Sequence, residues 1–310
     1  MLLILTNSLD GTVDLLLEGI SSIPVFRFNI DLWRDYDIEI SHDSFFIQDP
    51  TGRRVDEKTV QACYWRKPSF DDAVAIPAGG SLDGWIKSQW RYVTREVWNI
   101  CRNAGKARLV SPASEPCFGK VLQLRLAQKY FRVPKWFFVK SSSQKETSFP
   151  TVAKSLTMEF VENFKVFYTR RVDPTALDCA YPWFLQSEVD ASHDLTVVYV
   201  AGRCFGFTLD RELFEGIDWR IDINRVEHPW EDYELGPDLT RNICAFMDEA
   251  RLSYGRLDFL LKDGEAWFLE VNPNGQYAWL DQSGRQGMMA AIIEELTTDN
   301  PRKPIPHILP

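Results

Sequence analysis

The chain has 310 residues, 45% apolar and 25% charged, with a formal net charge of -9. That length supports a sizeable core and roughly two structural units of about 150 residues each. The acidic balance argues against a general nucleic-acid binder but leaves room for a local basic cleft that holds phosphates, and no apolar run approaches the length of a membrane span.

The start, Leu2 to Thr6, reads as a short buried strand and not as a signal peptide, because it has no basic leader and no small-residue cleavage site. Asn7-Ser8-Leu9-Asp10-Gly11 is turn and cap chemistry, followed by a helix over Val13 to Leu17. Val25 to Ile30 and Ala62 to Trp65 read as strands. From Asp83 to Asn103, Trp90, Val93, Val97, Ile100 and Cys101 recur on one helical face. The order predicts an α/β unit with a largely parallel sheet, closing at Ser111-Pro112.

A second unit opens near Pro116, with a helix over Lys120 to Tyr130 and strands at Trp136 to Val139 and Thr151 to Lys154. From Pro182 the pattern turns to antiparallel sheet. Strands are expected at 184–189, 195–200 and 204–209, the last two joined by the tight turn Ala201-Gly202-Arg203. A helix over 239–250, a hairpin of 257–261 with 266–271 across Asp263-Gly264, and a last helix over 286–295 follow, and the proline-rich 301–310 reads as a tail. Six scattered cysteines form no C-x-x-C pair, which argues against zinc and fits a reduced, cytoplasmic setting; Cys63, Cys204 and Cys244 read as core residues. His42, His193, His228 and His307 have no evident catalytic partner in sequence.

Chemistry concentrates in the last hairpin. Asp258 lies inside one apolar strand, and Glu270 and Asn272 share a face of the other because strand side chains alternate with a period of two. Two carboxylates and an amide on one face make a poor core but a good shell for magnesium that also binds nucleotide phosphates. Taken one residue at a time, each reads better as a solvent-facing polar group.

The segment 257–281, LDFLLKDGEAWFLEVNPNGQYAWLD, resembles the catalytic end of ATP-grasp enzymes, and EVNPNGQYAWLD within it is similar to the ATP-grasp ribosomal peptide maturases of the microviridin or graspetide type. YWRKP at 64–68 resembles a motif of their N-terminal domain. GKVLQLRLAQKYFRVPKWFFV and TVAKSL resemble the segments that bring two lysines to the ATP phosphates, which map to Lys120 and Lys154. FLQSEVDASHDLTVVYVAGRCFGF resembles the strand under adenine and the acid on the ribose, mapping to Gln186, Glu188, Val189 and Asp194, and IDWRID resembles a substrate-side motif with Arg220.

The resemblance implies a pre-ATP-grasp α/β domain at 1–115, an ATP-grasp N-lobe at 116–183 and a C-lobe with the metal site at 184–300, so α/β and α+β overall. It implies ATP and Mg2+ as cofactors, with Asp258, Glu270 and Asn272 on the metal, Arg66 and Arg220 toward substrate, and Lys154 and Arg220 catalytic. It also implies a precursor peptide with a leader segment as partner, a homodimer, and ester or amide formation between side chains of that peptide. Alone, Lys154 reads as a solvated strand end, Lys120 as an ordinary helix residue, Asp194 as a turn residue and Arg220 as a surface partner of Asp218 or Asp222. Arg66 either binds substrate or anchors the N-terminal domain. Two departures stand out: 155–171 contains no glycine where the family has a glycine-rich lid, and Thr196 stands where the maturases carry an arginine. A stand-alone amino-acid ligase and a nucleotide-binding scaffold without turnover are the competing readings.

Overall fold

The computed structural model describes residues 1–70, 81–140, 147–156, 168–178, 180–221, 230–303 and 305. The N-terminal unit is built on β1 (Leu2–Thr6), α1 (Gly11–Gly19), β2 (Val25–Asn29), β3 (Asp37–Ile40), β4 (Phe45–Gln48), β5 (Arg54–Asp56), β6 (Ala62–Trp65), α2 (Leu82–Asn103) and β7 (Ala107–Arg108). β1 lies between β2 and β6, parallel to both, in a sheet of order β2-β1-β6-β7. All five of its residues are buried, as a strand covered on both faces requires. α2 covers one face through Val97, Trp98 and Cys101. α1 covers the other with Val13 and Leu16, and its first turn is capped by Asp10, which accepts from Thr12 N at 3.1 Å. β3-β4-β5 form a small antiparallel sheet that the sequence pattern did not reveal. Its edge strand β3 is largely exposed and shows no clean alternation.

After α3 (Ser114–Cys117), the central unit consists of α4 (Lys120–Ala127), β8 (Trp136–Val139), β9 (Thr151–Lys154), β10 (Arg170–Val172) and β11 (Trp183–Ser187), whose strands order as β10-β9-β11-β8, antiparallel. The boundary expected at 183/184 therefore falls inside β11. The turn to an antiparallel pattern from Pro182 placed that strand with the next unit, but its hydrogen bonds run to β8 and β9.

The last unit carries β12 (His193–Val200), β13 (Arg203–Asp210), β14 (Glu231–Tyr233), α5 (Pro237–Glu249), β15 (Tyr254–Lys262), β16 (Glu265–Asn272) and α6 (Met288–Thr297). The sheet order is β14-β13-β12-β15-β16. Both of its tight hairpins turn through two residues with positive φ, Ala201 and Gly202 at 46° and 97°, and Asp263 and Gly264 at 52° and 77°. That is the twist-matching turn that Asp-Gly favours. Leu195, Val197, Leu257, Phe259 and Val271 alternate onto one face and pack against Ile243, Phe246 and Met247 of α5. α6 closes a second cluster, joining β1 and β6 to Val198, Val200, Phe207, Tyr254 and Tyr277, so the N-terminal unit shares its core with this sheet.

The tail expected from 301 onward is partly docked. Ile305 is 9% exposed within the α2 cluster, Lys303 Nζ pairs with Asp248, and Ser253 Oγ donates to the Lys303 carbonyl at 3.1 Å. Residue 304 and residues 306–310, including His307, lie outside the described residues. Among the described residues no helix is long and apolar enough to cross a membrane. Cys63 is fully buried, whereas Cys204 and Cys244 are half-buried.

Candidate active site

The apolar face of β12, β15 and β16 implies an opposite face, and that is where the chemistry gathers. Thr196 pairs across the ladder with Asp258, Asp258 with Glu270, and Arg256 with Asn272. Asp194 stands two residues before Thr196, so the period of two places all six on one side. A β-bulge follows Asp258, a device that re-aims side chains at the end of a regular ladder.

Asp258 is held from three directions. Thr196 Oγ1 donates to its Oδ1 at 2.8 Å, Arg256 Nη2 to its Oδ2 at 3.1 Å, and Asn272 Nδ2 approaches the same oxygen at 3.4 Å. Glu270 faces the N-terminus of α4, where Lys120 Nζ meets its Oε2 at 2.9 Å and also donates to the Ser155 carbonyl at 3.1 Å. Gly119 precedes this helix and, having no side chain, caps none of its first N–H groups. Helix and strand are tied by Gln123, whose Oε1 accepts from Val271 N at 3.0 Å.

The charges act on one another. Burial alone would raise the Glu270 carboxyl, but Lys120, Lys154 and Arg256 outweigh it and hold it at about 2. Lys154, half-buried at the end of β9, is pushed down to about 8 by burial and then by the Lys120 ammonium, against the opposing pull of Glu270, Asp218 and Asp194. Asp194 is pushed up to about 6 by burial, although Arg211 Nη1 pairs with it at 2.6 Å; the Asp258 charge adds to the rise.

Arg220 forms a two-point ion pair with the buried Asp218, at 2.7 Å from Nε and 2.5 Å from Nη2, and also senses Glu270 and Asp258. Its partner is therefore Asp218, while Asp222 and His228 lie outside the described residues. Asp218 in turn accepts from Thr169 N at 3.0 Å. Gln186 is 2% exposed within β11. Glu188 directs its carboxylate to Arg171, with bonds of 2.6 to 3.0 Å, and its main-chain N–H to the Pro150 carbonyl, so side chain and N–H are both engaged; Val189 follows it in the connection to β12.

Arg66 sits apart from the others. It is fully buried; Nη1 donates to Asn274 Oδ1 at 2.9 Å and to the Asn274 and Gly275 carbonyls, Nη2 reaches Gln276 Oε1, and Nε faces Asp10 at 3.4 Å. These surroundings support the anchoring reading, in which Arg66 clamps the N-terminal unit to the loop that follows Asn272. Most of the glycine-poor 155–171 segment, residues 157–167, lies outside the described residues. His42 is exposed and His193 Nδ1 meets Ser192 Oγ at 2.9 Å.

The structure adds two residues that the sequence reading did not select. Arg256 is largely buried, spans Asp258 and the Gln276 carbonyl, stacks over Trp279 at 5.4 Å, and among the described residues its Nε has no hydrogen bond. Thr196, read earlier only as a missing arginine, orients Asp258. The signal for both was period two: each falls on the same face as a selected acid.

Asp258, Glu270 and Asn272 fit magnesium by donor chemistry, since all three present hard oxygens and cations already stand where Glu270 and Asp258 point. Among the described residues no three His, Cys, Asp or Glu side chains form a metal cluster. A depression of about 460 Å³ on α2, lined by Ser88, Gln89, Arg91, Tyr92 and Arg95, contains no carboxylate and lies outside this constellation.

No family model and no curated protein matches the chain. Solved structures do. A RiPP-associated ATP-grasp ligase of Chryseobacterium gregarium, in complex with ADP and a leader and core peptide, superposes with a TM-score of 0.84 at 20% identity over 99% of both chains. The macrocyclase MdnC of Microcystis aeruginosa, bound with precursor peptide MdnA, reaches 0.76 at 20% identity, covering 95% of this chain and 98% of that one. A D-alanine–D-alanine ligase of Bacillus anthracis complexed with ATP reaches 0.51 at 12% identity over 95% and 96%. The chain has the ATP-grasp fold, as the resemblance implied, across nearly its whole length.

Proposed function

We propose that this ATP-grasp chain is an ATP-dependent carboxylate ligase that activates Asp or Glu side chains of a ribosomal precursor peptide as acyl phosphates and joins them to a hydroxyl or amine of the same peptide. The observation that carries the reading is the pairing of Asp258 with Glu270 on the face toward which Lys120 and Lys154 converge. The two most similar structures reported above were captured with precursor or leader peptides, which favours a peptide substrate.

In this reading Lys120 and Lys154 hold phosphate oxygens as compact point charges. Gln186 of β11, with Glu188 and Val189 just beyond the strand, lies under adenine, and Asp194 takes the ribose hydroxyls. Magnesium held by Asp258, Glu270 and Asn272 neutralises phosphate charge when bound. A substrate carboxylate oxygen attacks the γ-phosphorus and ADP leaves. The hydroxyl or amine then attacks the acyl carbon, loses its proton, and phosphate departs. No protein nucleophile is needed, because positioning and fixed charge supply the catalysis. Arg256 on β15 and Arg220 in the connection between β13 and β14 face the site and stabilise the charge that develops on the transferring group. Arg66 anchors the N-terminal unit and stays out of the chemistry. A homodimer working in the cytoplasm, with a leader segment docking the peptide, completes the proposal.

The test is the mass of a small acidic peptide encoded beside this chain and co-expressed with it, together with ADP release by the purified protein. Loss of one water per crosslink with ADP formation is expected. A gain of one amino-acid mass supports the stand-alone ligase instead, the reading favoured by the overlap with the D-alanine–D-alanine ligase. Nucleotide binding without any ADP release supports the scaffold and refutes catalysis.

A further inference from the structure

Asp194 does not stand by itself. In the ladder of β12 with β13 it lies opposite Leu209, so Arg211, two residues on, leaves the end of β13 beside its carboxylate. The backbone there is fixed. Arg211 N donates to the Ser192 carbonyl at 3.0 Å, and Asp210 caps the short turn Arg211–Leu213 by accepting from Glu212 N at 2.8 Å. From that base the guanidinium forks. Nη1 meets Asp194 Oδ2 at 2.6 Å, Nη2 donates to the Ile217 carbonyl at 3.0 Å, and the Phe214 ring centre lies 5.2 Å from the guanidinium carbon. Both side chains of the ion pair are largely shielded from solvent.

The fork joins two parts that the proposed chemistry needs. One prong holds the acid assigned to ribose. The other holds the main chain one residue before Asp218, the buried carboxylate that carries Arg220 and accepts from Thr169 N at 3.0 Å. Between Arg211 and Asp218 much of the chain is exposed, including Glu212, Leu213, Glu215 and Gly216. A segment with so few buried contacts is placed by its attachments. Among the described residues these include Arg211 to Ile217, Asp218 to Thr169, and Trp219 on Trp230 with ring centroids 5.3 Å apart. A planar guanidinium serves both of its acceptors in one orientation, so carboxylate and carbonyl are held at a set separation. Asp194 Oδ2 is taken, whereas among the described residues Oδ1 accepts no hydrogen bond and is left to an incoming hydroxyl.

We propose that Arg211 is a positioning residue that links the ribose-binding acid to the segment carrying Arg220, so that a nucleotide with its ribose hydroxyls in place orders residues 211–221 for acyl transfer. This deepens the ligase reading and rests on it. A hydroxyl donating to Asp194 fixes the carboxylate, the carboxylate fixes the fork, and the fork fixes Ile217 and with it Asp218 and Arg220. Such coupling is reciprocal, so an ordered 211–221 segment also tightens the hold on ribose. Burial pushes the Asp194 carboxyl up to about 6, and the Arg211 charge opposes that rise, so the same fork keeps the acid able to accept. Lysine does only half of this work: a single ammonium stays beside Asp194 but lacks the rigid second prong.

The test pairs nucleotide affinity with amide hydrogen exchange on the full chain, using MgADP and its 2′,3′-dideoxy analogue as probes. The parent should bind MgADP roughly tenfold tighter than the analogue, the loss expected for one hydrogen bond to a charged group. MgADP should also slow exchange across 211–221 more than the analogue does. Arg211→Met should bring the two affinities within about threefold of each other and abolish the nucleotide-dependent protection of 211–221, with affinity for the dideoxy analogue as in the parent. Arg211→Lys should keep the preference for MgADP and lose the protection, so it decides the matter even if the methionine variant is unstable. Parental protection in Arg211→Met or Arg211→Lys overturns the inference whatever the affinities, as does equal protection of the parent by the two nucleotides. Failure of the parent to bind MgADP overturns the ligase reading and this inference together; MgADP binding that leaves exchange across 211–221 unchanged overturns the inference alone.

Discussion

Thr196→Val removes one hydroxyl and leaves the shape of a buried β-branched side chain. Thr196 is 2% exposed, and its Oγ1 donates to Asp258 Oδ1 at 2.8 Å. A hydrogen bond to a charged group contributes about 1.5–3 kcal/mol, and the 24% exposure of the Asp258 side chain favours the lower end, about 1.5 kcal/mol. The carboxylate would keep Arg256 and the longer contact with Asn272, so it would swing toward them and away from the metal position. Partners of this kind typically alter metal affinity by about 10–100-fold. The expected outcome is a rise of at least about tenfold in the magnesium concentration that half-saturates ADP binding, with metal-free ADP binding unchanged. Calorimetric titration of ADP across a magnesium series measures both. An unchanged magnesium requirement in a folded variant would refute the claim that this hydroxyl orients a metal ligand, and with it the reading of Thr196 as this chain's replacement for an arginine.

Lys154 should be needed as a cation, so nucleotide affinity should fall as pH rises through about 8 and that dependence should vanish in Lys154→Met. The sign for stability is opposite: a folded lysine pushed down to about 8 binds fewer protons than the unfolded one between 8 and 10.5, so the empty protein gains stability across that window. Lys154→Met should therefore melt higher than the parent at pH 7 while binding ADP more weakly, and a lower melting temperature would contradict the charge balance described. Arg66→Met should destabilise by about 3–5 kcal/mol, because it strands Asp10, whose side chain is 4% exposed, and the Asn274 and Gly275 carbonyls. Denaturant unfolding measures this, and a fully stable variant with lost activity would return Arg66 to the substrate.

Particular residues separate what local pattern carries from what it omits. Asp258, Glu270 and Asn272 were legible because alternation in two adjacent strands, joined by an Asp-Gly turn, leaves little freedom in register. Uninterrupted pairing from that turn would set Asp258 opposite Leu269, and the β-bulge after Asp258 shifts the ladder by one residue and pairs it with Glu270, which the sequence pattern did not reveal. The β1, β6 and α2 units were legible because buried parallel strands and a long amphipathic helix carry strong periodic signals. β3 was not, since an exposed edge strand has no burial pattern to read, and neither was the membership of β11, which depends on partners 30 to 50 residues earlier in the chain. The docking of Ile305 was hidden behind prolines that signal a tail whatever they pack against.

The chain by itself determined which residue types could bind phosphate and a hard cation, and on which side of each strand they stand, because those properties depend on chemistry and on a two-residue repeat. Only the tertiary structure decided which of them meet. Lys120 reaches Glu270 across 150 residues because α4 packs on β16, and Arg66 is an anchor because Asn274, Gly275 and Gln276 close around it. Distance in space, set by the shared core, fixes the balance of charge that distance along the chain leaves open.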